Sequence, residues 1–129
     1  MELKTGLKYT SELTVGPEHT AKTFASGLLE VFATPMLAAL MEKAAMMAVS
    51  PALKDGQGTV GTRLELDHLA ATPVGGHVRA TAELISIDRR RLTFRIEAFD
   101  DTEKIGECTH DRFIIDNKKF MEKASAKCL

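Results

Sequence analysis

The chain has no tryptophan, a single tyrosine and only two cysteines, Cys108 and Cys128, which lack CxxC spacing. A disulfide framework and a zinc knuckle are therefore not expected. Aromatic residues make up 5% of the sequence, too few for a base-stacking platform. Neither sign of charge dominates. The net charge of −1 gives no bulk electrostatic reason to bind nucleic acid or an anionic membrane. No apolar run approaches the roughly 18 residues of a membrane span, and the opening MELKTGLKYT lacks an apolar signal core. The four histidines, His19, His68, His77 and His110, are scattered, with no HxxxH-type ligand pair. These absences lead to the expectation of a cytoplasmic, soluble protein with no nucleic-acid or membrane partner and no metal.

The 129 residues fit one domain, 1–129, large enough to bury a core without staples. Hydrophobic residues at 44% and charged residues at 27% are ordinary for a globular chain. LKYTSELT, residues 7–14, reads as a first strand, followed by a polar loop. Thr34-Pro35 then opens a helix that runs to about Val49, before Ser50-Pro51. Threonine is a favoured cap, and proline is at home in the first turn, where its missing N–H costs nothing. Beyond KDGQG the hydrophobic period changes to two. Strands are expected over about 60–69, 78–87, 91–99 and 104–115, with a DDTEK hairpin turn before the last. The tail from Asn117 reads as a short helix or a frayed end. Short turns imply antiparallel neighbours, and an antiparallel sheet with one apolar face needs a cover. The single long, largely apolar helix supplies it if the sheet curls around it.

That helix, TPMLAALMEKAAMMAV, contains one carboxylate, Glu42, among alanines, leucines and methionines. Paired with Lys43, it could mark a wet stripe. Its helical neighbours at 38, 39, 45 and 46 are Ala, Ala, Ala and Met, small enough to leave room for a ligand. A buried Glu42 would need a donor. His68 is placed by alternation: if Leu64 and Leu66 face the core, so does His68, on the face that meets the helix. A His–Glu pair there would keep the carboxylate charged and raise the histidine pKa. Thr34 reads as a helix cap, at the end where free N–H groups can polarise a carbonyl. Cys108, His110 and Arg112 share one face of the last strand, and the pattern leaves open which face. Arg89-Arg90-Arg91 reads either as a solvated turn or as a phosphate contact.

The order of elements, with ATPVGGHVRATAEL followed by RRLTFRIEAFDDTEKIGECTH, resembles the hotdog fold: α+β, a curved antiparallel sheet wrapped around one long central helix. A narrower resemblance rests on VFATPMLAALMEKAA, GTVGTRLELDHLAATPVG and IGECTHDRFII, which together resemble the fluoroacetyl-CoA thioesterase family of single-hotdog proteins. The resemblance spans Val31 to Ile115. It implies hydrolysis of a short-chain acyl-CoA thioester, with Thr34, Glu42 and His68 as the catalytic set. It also implies Gly61 and Arg112 as substrate-binding residues, no cofactor beyond the coenzyme A of the substrate, and a homodimer whose site lies at the interface. Glu42 and His68 of one site could then come from different chains. In the fluoroacetate-specific enzyme the loop before the helix carries an aromatic lid. Here the corresponding stretch is shorter and TFASGLLE offers only Phe24, which implies a less enclosed pocket. The alternatives are a non-catalytic acyl-CoA binder and a hotdog hydratase or dehydratase. The helix start lacks the histidine that the last of these uses.

Overall fold

The computed structural model describes residues 1–128. Strand β1 (Lys8–Thr14) is followed by a single 3-10 turn at Pro17–His19 and the long helix α1 (Thr34–Val49). A second 3-10 turn (Ser50–Ala52) leads to β2 (Gln57–His68), β3 (His77–Asp88), β4 (Arg91–Asp100), β5 (Lys104–Asp116) and helix α2 (Asn117–Ser125). The five strands form one sheet in the order β1-β3-β4-β5-β2, antiparallel at every junction. Each expected element is present, with ends within a few residues of those read from the hydrophobic period. The C-terminal segment is helical, its first turn capped by Asp116, whose carboxylate accepts from the Lys119 N–H at 3.0 Å.

Alternation on β3 and β4 builds the core. Val78, Ala80, Ala82 and Leu84 of β3 and Leu92, Phe94, Ile96 and Ala98 of β4 are fully buried against Leu37, Met41, Ala44, Ala45 and Val49 of α1. One helix is about 10 Å wide, while five strands at about 4.8 Å span roughly twice that. Yet α1 touches all five strands, so the sheet curls around it as the hotdog arrangement requires. The cover is uneven. The helix packs chiefly on β1 and β3 and only lightly on β4, β5 and β2. The Ser11 hydroxyl of β1 ties the two together by donating to Leu40 O at 2.8 Å. Gly106 on β5 permits the closest approach on the other side: a Cβ there would lie 2.9 Å from Leu37 Cδ2.

Two connections shape the rim near the start of α1. Asp100 closes the β4–β5 turn by accepting from the N–H groups of Thr102 and Glu103 at 2.8 and 2.9 Å. Its second oxygen accepts from the Thr72 hydroxyl at 2.9 Å. Burial alone would raise the Asp100 pKa, but these bonds and the charge of Arg79 outweigh it and hold the carboxyl low. Thr72 in turn accepts from the Phe32 N–H through its carbonyl at 2.7 Å. The loop before α1 folds back on itself through Ala21–Val31 and Lys22–Leu29 backbone bonds and leaves Leu28 and Leu29 exposed at its tip.

Candidate active site

Thr34 is not the helix cap that its position before proline suggests. Ala33 occupies the cap with extended backbone and no side-chain bond, and Thr34 is the first helical residue. Its hydroxyl is thereby free for a tertiary partner: Oγ1 lies 2.7 Å from His68 Nδ1. The histidine reaches it from the last residue of β2. Among the described residues, the one buried side-chain nitrogen or oxygen without a hydrogen-bond partner is His68 Nε2. Such orphans are rare because each costs the desolvation of a polar group. Burial lowers the His68 pKa, and the Ala70 backbone, outside hydrogen-bond geometry, opposes that shift in part. The upward shift expected from a glutamate partner is absent, and no ion pair joins His68 to Glu42 among the described residues. Around Thr34 and His68 lies a cleft of about 320 Å³, lined also by Val31, Phe32, Leu69 and Ala70.

Glu42 lies two turns further along α1, about 12 Å by helix rise, on the thinly covered side of the sheet. It is neither buried nor part of a wet stripe: its side chain is 44% exposed and Oε2 is 3.8 Å from Arg112 Nη1. Arg112 is itself buried and fully engaged. Nε donates to Thr59 Oγ1 and Nη2 to Thr59 O, both at 2.8 Å, and Nη1 donates to His110 Nε2 at 3.3 Å. The tautomer of His110 follows from its other nitrogen, which lies 2.8 Å from Arg63 O. A carbonyl only accepts, so Nδ1 carries the proton and Nε2 is the acceptor. Beside them Cys108 is buried, its pKa pushed up to about 12 by burial and then by Glu42. A thiol so held is inert.

The face of β5 that the sequence leaves open is thus the concave one, and β2 meets it through an irregularity. Gly61 stands opposite Arg112, Leu64 opposite His110, Leu66 opposite Cys108 and His68 opposite Gly106. In a regular strand Gly61 and Leu64 would point to opposite faces. A register shift between Gly61 and Arg63 leaves Thr62 without a ladder partner and brings both to the same face. Gly61 also has to be glycine. A Cβ there would lie 2.8 Å from Glu42 Oε2, 3.1 Å from His110 Cε1 and 3.5 Å from Arg112 Nη1.

Two groups result. Thr34 and His68 form one; Glu42, Gly61 and Arg112 form the other, with His110 and Thr59 behind them. The sequence reading placed His110 on the face of Arg112 without assigning it to the site, and missed Thr59. Strand β5 alternation places His110 beside Arg112, but only the bulge shows that Thr59 faces them too. The arginine run lies elsewhere, at the β3–β4 turn, in a cleft of about 460 Å³ with Phe113. Asp88 pairs there with Arg89 at 3.5 Å and Arg91 at 3.1 Å. Among the described residues no group of three or more His, Cys, Asp or Glu side chains is arranged to hold a metal ion. Among the described residues no helix is long and apolar enough to cross a membrane.

A curled antiparallel sheet around one helix, with Glu42 on the helix and His68 on the sheet face that meets it, is a hotdog fold. Comparison with known proteins narrows this. The family model for fluoroacetyl-CoA-specific thioesterase, FlK, matches residues 15–118, and the chain belongs to that family. Over 132 residues it is 39% identical to the fluoroacetyl-CoA thioesterase of Streptantibioticus cattleyicolor, covering 97% of this chain and 94% of that one. A solved structure of FlK superposes with a TM-score of 0.94 at 36% identity, covering all of both chains. A variant of FlK solved with fluoroacetate and CoA matches with a TM-score of 0.86 at 38% identity, over 92% of this chain and 99% of that one.

Two outcomes test this geometry. Gly61→Ala is expected to displace the Glu42 carboxylate and lower kcat/KM on the order of 10²-fold, since misplacement by about 1 Å has that effect; steady-state kinetics beside a melting curve separates this from unfolding. The second is a pH dependence of stability. His68 and His110 both have pKa values lowered by burial below the ordinary 6.5. The unfolded chain therefore binds more protons than the folded one as pH falls below about 6.5. Stability present above that pH is lost as the pH falls through the folded values. Melting temperature should be level from about pH 7 to 8 and drop toward pH 5; a rise on acidification would contradict the assignment.

Proposed function

We propose that this protein hydrolyses acyl-CoA thioesters, with Glu42 as the reacting carboxylate and the Thr34–His68 pair handling a proton. The observation that carries this reading is His68 Nε2, a buried nitrogen with no partner at the edge of an open cleft. Nδ1 is engaged by Thr34, so Nε2 is the atom left for a water or a substrate group. With its pKa lowered, the imidazole is neutral at pH 7 and suited to take and return a proton. Glu42 attacks the thioester carbonyl, or takes a proton from an attacking water, and coenzyme A leaves as the thiol. Backbone N–H groups, that of Gly61 among them, would hold the oxyanion. Arg112 supplies a fixed positive charge beside Glu42 and the substrate. No cofactor is needed beyond the coenzyme A of the substrate.

The acyl group is read as short, since the cleft holds only about 320 Å³. With Phe24 the only aromatic residue in the loop stretch before Phe32 and α1, that cleft is less enclosed than one with an aromatic lid. A relative solved with fluoroacetate and CoA supports a two-carbon-scale acyl group on a CoA carrier.

We further propose that two chains pair along β2. That strand is a sheet edge twelve residues long with Leu64 exposed at 36%, and exposed edges of this length invite pairing. Met46 on the neighbouring side of α1 is also exposed. A second chain there would close the open side of the Glu42 group and bring one chain's Glu42 toward the other's His68.

Thiol release from a panel of acetyl-, fluoroacetyl-, propionyl- and butyryl-CoA is expected, fastest with the smallest groups. Glu42→Gln should keep the fold and lose about 10² to 10⁴ in turnover. Binding of the panel without release would leave a non-catalytic binder instead. Label in the Glu42 carboxylate after a single turnover in ¹⁸O water would identify an acyl-enzyme that water opens at the glutamyl carbonyl. Light scattering on the purified protein should give twice the chain mass of 14.1 kDa; a monomer at micromolar concentration would sink the paired site.

A further inference from the structure

We infer that His110 is a positioning residue: by accepting a hydrogen bond from Arg112 it keeps that guanidinium turned toward Glu42, and the arrangement holds only while His110 is neutral. This rests on the reading that Glu42 carries the reaction, but concerns a residue that touches neither Glu42 nor the cleft around His68 by any hydrogen bond.

The geometry allows His110 only one role. Its ring is 1% exposed, so it does not meet bulk water. Nδ1–H is spent on Arg63 O, next to the bulge that brings Gly61 inward. Nε2 is left as an acceptor, and the one donor it meets is Arg112 Nη1. Nη1 is also the guanidinium nitrogen that lies 3.8 Å from Glu42 Oε2. The other two guanidinium nitrogens are fixed by Thr59, so the plane of Arg112 is set by β2 and its direction toward Glu42 by His110.

Adding a proton to Nε2 converts the acceptor to a donor. Two N–H groups and two positive charges then face each other across 3.3 Å, and the bond is lost. Every charged or titratable group near His110 bears on that step. From β5, Arg112 opposes protonation and Asp111 favours it; Cys108, two residues away, stays a neutral thiol. From α1, Glu42 favours it, and from β2 the Arg63 carbonyl favours it. From β4 comes only the Phe94 ring, centred 6.2 Å away. Burial outweighs the favourable contributions and lowers the His110 pKa, which favours the neutral imidazole. The site is thus built to be intact at neutral pH and to lose its alignment when His110 takes up a proton.

The test uses the full-length protein with acetyl-CoA as probe. His110→Leu should lower kcat about tenfold or more, on the scale set by misalignment of a reacting group, with KM little changed. His110→Gln offers an amide oxygen to Arg112 and does not titrate, so it should recover most of that loss near pH 8. Its acid limb of kcat should move down by about one pH unit or more relative to the unmodified protein, each unit being tenfold in proton affinity. Where a variant fails to fold, NMR titration of the imidazole signals in the unmodified protein decides: the His110 midpoint should coincide with the acid limb. An unmoved limb in His110→Gln, or a His110 midpoint away from the limb, overturns the inference. Failure of the Glu42 reading shows separately, as a fully active Glu42→Gln.

Discussion

Helix α1 is too narrow to cover five strands, and it sits over β1 and β3. Everything distinctive about the site follows from where the shortfall falls. On the covered side the inward faces of β3 and β4 are apolar from Val78 to Leu84 and from Leu92 to Ala98, with Ser11 tied to Leu40 and, at the rim, Asp100 to Thr72. On the other side, β5 turns Cys108, His110 and Arg112 toward the helix, and β2 is left half-exposed. A buried guanidinium and imidazole are costly unless each N–H and each lone pair finds a partner. Here each nitrogen of the two groups has at least one, through Thr59, Arg63 and each other. The apolar half supplies the stability against which the polar half is held.

The two groups of polar residues differ in how they are satisfied. The Arg112 group is closed on itself, with Glu42 at its outer edge facing open space. The Thr34–His68 group is left with one atom unpaired. A closed group is rigid and suited to orienting a charge, whereas an incomplete one is suited to receiving something.

Much of the fold was legible in the sequence because hydrophobic period is a local property. The alternation of RLTFRIEAF and the apolar breadth of PMLAALMEKAAM place β4 and α1 within a residue or so. Leu64, Leu66 and His68 lie on the concave face as alternation requires. What local pattern cannot carry is tertiary. The bulge at Thr62 leaves no mark in the hydrophobic sequence, so the facing of Gly61 and Thr59 could not be read backward from Leu64. Thr34 before proline looks like a cap, but the chain enters the helix one residue earlier and its hydroxyl goes to His68. A His68–Glu42 contact within the chain is not made because His68, on β2, meets α1 at Thr34, two turns before Glu42, a separation that sharing a face does not reveal.

The extra residue in β2 has a consequence for how this strand tolerates change. Residues 57–61 and 63–68 follow two reading frames of the same sheet, and Thr62 is the shift between them. Its hydroxyl makes only a 3.2 Å bond to Asp111 O, so little holds its identity. Removing Thr62 would leave Gly61 and Leu64 two residues apart and still on one face, whereas one more residue within either half would trade the faces of the segment it displaces. For β2, counting is a stricter constraint than chemistry.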